Sequence, residues 1–130
     1  MEEKSIAERF GNSSIYFPNS QEQNIRKQWY AHPSFEGVSI KNLIEGNQTN
    51  GIFSSHLVKV NPGCSLMRHR HKSNLELHEV VEGSATVMLG DRTLQYEAGD
   101  CAVIPKDMEH SVTANDKELY LLAKFFPPIL

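Results

Sequence analysis

The sequence lacks the features of membrane, secreted and nucleic-acid-binding proteins. It has no apolar run near the ~20 residues needed to cross a bilayer. Its charged first segment, MEEKSIAERFG, lacks the apolar stretch of a secretory signal. The 13 basic and 16 acidic residues give a net charge of −3, which argues against nucleic acid or an anionic membrane as the main partner. We therefore expect a cytoplasmic protein.

Cysteine is also rare in this chain. Its two cysteines, Cys64 and Cys101, do not form a CxxC pattern and indicate no disulfide framework. In a reducing cytoplasm we expect both to be free thiols. The chain of 130 residues, of which 39% are hydrophobic and 22% charged, is long enough to bury one core without covalent links.

From residue 38 onward, the sequence consists of short apolar segments separated by turn residues. Asn61-Pro62-Gly63 and Gly99-Asp100 are typical turns, and Gly90-Asp91 between two such segments predicts a tight hairpin. Many short strands at this spacing are typical of an all-β sandwich or barrel. The predicted strands are Val38–Ile44, Ile52–Val60, Leu66–His71, Leu75–Glu82, Ser84–Leu89, Thr93–Glu97, Ala102–Pro105, Ser111–Ala114 and Leu119–Phe126.

The first 37 residues have a different composition. They are polar and irregular, with Asn, Ser and Gln clustered in FPNSQEQN. We predict an N-terminal arm over residues 1–37, with a short helix at Glu2–Phe10 and a strand at Ser14–Phe17. Such an arm packs across its own barrel or onto a partner subunit. The predicted organisation is this arm followed by one β-barrel over residues 38–130.

A cluster of candidate metal ligands follows Gly63 in the segment GCSLMRHRHKSNLELHEVVEG. Alternate side chains of a strand share a face, so His69 and His71 should face one side and the neighbouring cations the other. Glu76 begins the next predicted strand, and a hairpin would bring its carboxylate beside them. His110, after a later turn, would complete the site from a neighbouring strand. Three imidazoles and one carboxylate suit one divalent transition metal (Fe, Mn, Ni, Co or Zn) better than Ca or Mg.

The spacing of these residues resembles that of the cupin family. The first cupin motif contains a glycine, an HxH pair, a glutamate and a second glycine. All five positions are matched, by Gly63, His69, His71, Glu76 and Gly83. The second motif is matched by Gly99, Pro105 and His110, whereas Asp107 replaces a glycine and the asparagine lies one place late at Asn115. The departures fall at loop positions of the motif, so the ligand set is intact.

The resemblance spans roughly residues 38–126 and implies a double-stranded β-helix, the jelly-roll barrel of cupins. Metal-dependent cupins include dioxygenases, oxalate-degrading enzymes and sugar isomerases. The resemblance therefore implies an oxygenase- or isomerase-like enzyme that acts on a small molecule in the barrel. The alternatives are a non-catalytic binding or sensing protein, and a cupin whose metal site is empty or degenerate. Small cupins of this kind usually form homodimers, which we also expect here.

Two further histidines are predicted near the ligands. His78 lies two residues after Glu76 and should share its inward face, where it would act as an acid or base or as a hydrogen-bond partner of a metal ligand. His56 should face the interior with Val58 and Val60, and we predict that it contributes to substrate binding. The alternative for each is a histidine that is satisfied by hydrogen bonds or lies at the barrel rim.

Overall fold

Most secondary-structure elements lie close to their predicted positions. The structure is a computed structural model that describes residues 4–130. Within that range, helix α1 spans Ile6–Asn12, and short 3₁₀ helices span Asn24–Arg26 and Gly46–Gln48. The strands are β1 (Ser14–Phe17), β2 (Ser20–Gln23), β3 (Tyr30–Ala31), β4 (Val38–Ile44), β5 (Ser54–Val60), β6 (Ser65–His69), β7 (Leu75–Glu82), β8 (Ala85–Leu89), β9 (Arg92–Tyr96), β10 (Cys101–Ile104), β11 (His110–Ala114) and β12 (Leu119–Phe126).

A capping box determines where helix α1 begins. The hydroxyl of Ser5 accepts a hydrogen bond from the Glu8 N–H at 3.1 Å, and the Glu8 carboxylate accepts one from the Ser5 N–H at 3.4 Å. The helix therefore begins after Ser5, and the first residues of the predicted helix Glu2–Phe10 lie outside the described range. It ends at Asn12, beyond the predicted end. No helix in residues 4–130 has the length and apolar character needed to cross a membrane.

Two antiparallel sheets form the barrel. The six-stranded sheet has the order β10-β7-β12-β5-β4-β3, and the four-stranded sheet has the order β6-β11-β8-β9. Gly90-Asp91 joins β8 to β9 with Leu89 paired to Arg92, which confirms the predicted tight hairpin. The architecture confirms the all-β jelly-roll barrel.

The inner faces of the two sheets meet in an apolar core. The six-stranded sheet contributes Val58 and Leu121, and the four-stranded sheet contributes Val87 and Val112. All four side chains are buried. Alternating residues of each strand supply this face, as the two-residue period of a strand requires. Each such side chain contributes about 2 kcal/mol through burial.

The outer face of the six-stranded sheet is covered by the N-terminal arm. Leu43, Leu57 and Leu122 form a second apolar cluster on this face, and Ile15 of β1 packs against it. Strand β3, which belongs to the same N-terminal part, pairs with β4 at the sheet edge. Of the two placements predicted for the arm, the structure shows packing across its own barrel.

A buried lysine fastens the arm to the sheet. Lys41 of β4 is 3% exposed, and its Nζ donates to the carbonyl oxygens of Gly11 at 2.7 Å and Asn24 at 3.1 Å. The ammonium also lies 5.5 Å from the centroid of the Trp29 ring, within the range of a cation–π contact. Burial lowers the pKa of Lys41, and the charge of Lys27 lowers it further. The hydrogen bonds and the ring thus replace the water that this cation has lost.

We expect Lys41→Met to lower the free energy of unfolding by about 1–3 kcal/mol, because buried carbonyl groups lose their donor. Urea denaturation measures this change. Lys59→Met is the matched control, since Lys59 on β5 is only partly buried and pairs with Glu118 at 3.0 Å. A surface ion pair of this kind contributes about 0–1 kcal/mol. Equal losses in the two variants would contradict the anchoring role of Lys41.

Candidate metal centre

The four predicted ligands come from both sheets. His69 ends β6, His110 begins β11, and the two residues pair across the four-stranded sheet. Glu76 lies on β7 in the other sheet, and His71 lies in the connection between β6 and β7. One ligand atom from each of the four side chains can be chosen so that all lie within 4.8 Å of one another. The cluster is therefore compact enough to hold a single ion.

Two details of the predicted arrangement are wrong. The predicted strand Leu66–His71 spans Ser65–His69 instead, so strand alternation does not place His71. No hairpin brings in Glu76, because β6 and β7 belong to different sheets. The chain between them crosses from one sheet to the other, and Nε2 of His71 lies 3.5 Å from Oε1 of Glu76.

Backbone carbonyls orient two of the imidazoles. Nδ1 of His69 donates to the carbonyl of Met67 at 2.6 Å, and Nδ1 of His110 donates to that of Met108 at 3.0 Å. A carbonyl can only accept, so Nδ1 carries the proton of each neutral ring and the Nε2 lone pair is free. Metal-binding histidines are commonly held in this way, with the second ring nitrogen donating to a carbonyl.

Two acceptor atoms face each other inside the site. Oε1 of Glu76 and Nε2 of His110 are 3.1 Å apart, and neither has a hydrogen-bond partner among the described residues. Glu76 is 4% exposed and His110 2%, so bulk water does not solvate these atoms. When His110 is neutral, both atoms present lone pairs, and a cation between them removes the repulsion. These residues therefore fit a metal ion.

The electrostatics of the site favour positive charge at this point. Burial alone would raise the pKa of Glu76, but His78 and His110 together hold it well below its usual range. Burial would lower the pKa of His110, but its contact with Glu76 raises it on balance. Burial lowers the pKa values of His69 and His71. An ionised carboxylate beside the neutral imidazoles of His69 and His71 is a combination that favours metal binding.

His78 lies behind Glu76 and does not line the cavity. It is 1% exposed, its Nε2 donates to Oε2 of Glu76 at 2.8 Å, and its Nδ1 shares a hydrogen bond of 2.8 Å with the Tyr96 hydroxyl. A carboxylate only accepts, so Nε2 carries a proton. Of the roles predicted for His78, the geometry favours a hydrogen-bond partner that fixes Glu76.

His56 lines the cavity, but both of its ring nitrogens are engaged. Nδ1 donates to Oδ1 of Asn42 at 2.7 Å, and Nε2 accepts from Oγ of Ser54 at 2.9 Å. The Tyr30 hydroxyl also donates to Asn42, and the Ile129 N–H donates to Ser54. Burial lowers the pKa of His56 to about 4. This network agrees with the alternative that His56 is a buried histidine satisfied by hydrogen bonds. Its role in substrate binding stays a prediction.

A cavity of about 100 Å³ adjoins the ligand cluster. Tyr30 and Ile129, which are 38% and 44% exposed, lie at its mouth, and His69, His71 and Glu76 form a polar end. Its apolar wall is formed by Ile40, Val58, Leu66, Leu121, Ala123 and Phe125. His32, which is not among the predicted site residues, also lines the cavity, from the loop after β3. Because that loop is irregular, no periodicity indicated its position.

The fold and the ligand cluster agree with a comparison against family models. A model described as a cupin domain matches residues 56–123, more than half of the chain. The chain therefore belongs to the cupin family, which confirms the resemblance seen in its motifs. A search of curated proteins found no match.

Solved structures with this fold are distant in sequence. KdgF from Halomonas sp. has a TM-score of 0.71 and 21% identity, covering 80% of this chain and 89% of that one. A predicted oxalate decarboxylase from Thermotoga maritima has a TM-score of 0.67 and 21% identity, with coverages of 78% and 91%. An RmlC-like cupin from Shewanella frigidimarina has a TM-score of 0.70 and 18% identity, with coverages of 82% and 88%. These likenesses show a shared fold.

Proposed function

We propose that this cupin binds one divalent transition-metal ion through His69, His71, Glu76 and His110. The observation that carries the proposal is the buried pair of acceptors, Oε1 of Glu76 and Nε2 of His110, at 3.1 Å without a hydrogen-bond partner in the described part of the chain. Three imidazole nitrogens and one carboxylate oxygen favour Fe, Mn, Co, Ni or Zn over Ca and Mg.

We propose further that the centre is catalytic, in an oxygenase- or isomerase-like reaction on a small molecule. A bound metal would supply Lewis-acid or redox chemistry. The chain itself orients the ligands through backbone carbonyls and His78, and its apolar cavity wall limits the access of water. The side chain of His71 is 27% exposed, so the cluster is open toward the cavity, whereas structural metal sites are closed. The structural neighbours KdgF and the predicted oxalate decarboxylase support an enzyme at the level of fold.

The alternative function is binding or sensing of a small ligand without catalysis. The observation in its favour is that both ring nitrogens of His56 and of His78 are engaged in hydrogen bonds, so neither is free to move a proton to a ligand. We also propose that the protein is a cytoplasmic homodimer. Each chain would consist of an arm (1–37) and a barrel (38–130).

The metal site is tested by the double substitution His69→Ala/His71→Ala. We expect the purified variant to lose its metal, measured by inductively coupled plasma mass spectrometry, while circular dichroism shows a folded barrel. The control is Arg68→Ala/Arg70→Ala, whose side chains are 58% and 45% exposed and pair with Glu109. The control should keep its metal. An unchanged metal content in the histidine variant would refute the assignment.

The role of His78 is tested by comparing His78→Leu with His78→Gln. Leucine removes the donor to Glu76, so we expect metal affinity to fall about 10–100-fold. Glutamine places an amide N–H near the position of Nε2 and should restore most of the affinity. Tyr96→Phe, which removes only the hydroxyl that is hydrogen-bonded to Nδ1 of His78, provides a milder third variant. A role in proton transfer would instead lower turnover in all of them at unchanged metal affinity.

Catalysis and binding are distinguished by metal content together with oxygen uptake. A protein that purifies with Fe or Mn and consumes O₂ with a chelating substrate excludes the binding-protein alternative. Tightly held Zn or Ni, with no uptake across a panel of small chelating acids and sugars, contradicts the oxygenase. Isomerase activity is then tested on the same panel of acids and sugars. NMR would show whether one compound is converted into its isomer.

A further inference from the structure

The cavity next to the ligand cluster has an unbalanced charge once a divalent ion is present. Glu76 supplies one negative charge and the three imidazoles none, so the centre keeps one net positive charge. Among the described residues that line the cavity, Glu76 is the sole acid and none is lysine or arginine. An uncompensated charge beside apolar walls is unfavourable. A ligand with one negative charge on the metal side would complete the balance.

The rest of the cavity favours an apolar substituent on that ligand. Val58, Leu121 and Phe125 in the wall are at most 6% exposed, and His56, the polar group among them, has both nitrogens engaged. The volume is about 100 Å³. Because a cavity of about 150 Å³ holds benzene, one of about 100 Å³ has room for about four non-hydrogen atoms, which is enough for a short apolar substituent.

His32 adds a hydrogen-bond donor at the cavity. Its Nδ1 accepts hydrogen bonds from the backbone N–H groups of Ser34 at 3.0 Å and Phe35 at 3.2 Å, so the neutral ring carries its proton on Nε2. The ring stacks on Phe35 with centroids 4.4 Å apart, and Phe35 in turn lies 5.4 Å from the ring of His69. The described residues provide no acceptor for Nε2–H, which leaves this donor for a ligand.

We infer that the cavity binds a small carboxylic acid with a short apolar substituent, and that His32 donates a hydrogen bond from Nε2 to its carboxylate. The inference rests on the proposed metal site and names the class of ligand that this site takes. The metal ion would balance the charge of the carboxylate, Val58 and Leu121 would cover the substituent, and His32 would fix the orientation of the carboxylate.

The ligand class is tested by calorimetric titration of metal-loaded protein of measured metal content. Isobutyrate, isobutyramide and acetate are the probes, because the first two have the same shape and differ in charge. We expect isobutyrate to bind at least tenfold more tightly than isobutyramide. It should also bind about tenfold more tightly than acetate, since two additional carbon groups are buried. Metal-free protein should bind none of them.

The role of His32 is tested with His32→Asn and His32→Phe. Asparagine keeps an acceptor for the loop N–H groups, and phenylalanine keeps the stacking on Phe35, but neither has the Nε2–H donor. Both should retain metal and bind isobutyrate about tenfold more weakly than the unsubstituted protein. Full affinity in both variants would refute the role of His32.

The outcomes separate this inference from the metal proposal. A chain that holds no metal refutes the proposed function before any ligand is added. A metal-loaded chain that binds isobutyrate and isobutyramide equally, or binds neither, refutes the ligand class and leaves the metal site intact. Tighter binding of acetate than of isobutyrate refutes the apolar pocket.

Discussion

The site depends on the burial of one carboxylate. Glu76 is 4% exposed, and its low pKa keeps it ionised at a depth where an unpaired charge costs several kcal/mol. His78 satisfies Oε2, so the remaining attraction for positive charge is concentrated at Oε1, which faces the imidazoles of His71 and His110. His78, which Tyr96 holds in turn, thus sets the direction of the carboxylate.

The two sheets make this arrangement possible because each supplies part of the site. The four-stranded sheet aligns His69 with His110 through direct pairing, and the six-stranded sheet places Glu76 opposite Ile104 and Phe125. A metal ion held by these ligands would connect the sheets across the barrel interior. Its binding free energy would then add to the stability of the fold, because the unfolded chain holds no preformed site.

Sequence motifs predicted the ligand cluster because their spacing encodes the chemistry, although strand alternation was the wrong reason for His71. Alternation describes side chains within a strand and does not tell whether the next strand joins the same sheet. The predicted hairpin between His71 and Glu76 was wrong for this reason, because β6 and β7 belong to different sheets. His56 and His78 satisfied the same alternation rule. Their surroundings depend on partners distant in sequence, Asn42 and Tyr96, which a local pattern does not contain.

The direction of one local hydrogen bond distinguishes the histidines that face the cavity. In His69 and His110, a carbonyl two residues earlier accepts from Nδ1, so Nε2 presents a lone pair, which suits a cation. In His32, backbone N–H groups of the following residues donate to Nδ1, so Nε2 presents a proton, which suits an anion. Nε2 of a histidine at a strand end is thus an acceptor, and Nε2 of the histidine in the loop is a donor. A ligand that contacts both the metal centre and His32 must therefore carry its negative charge between them.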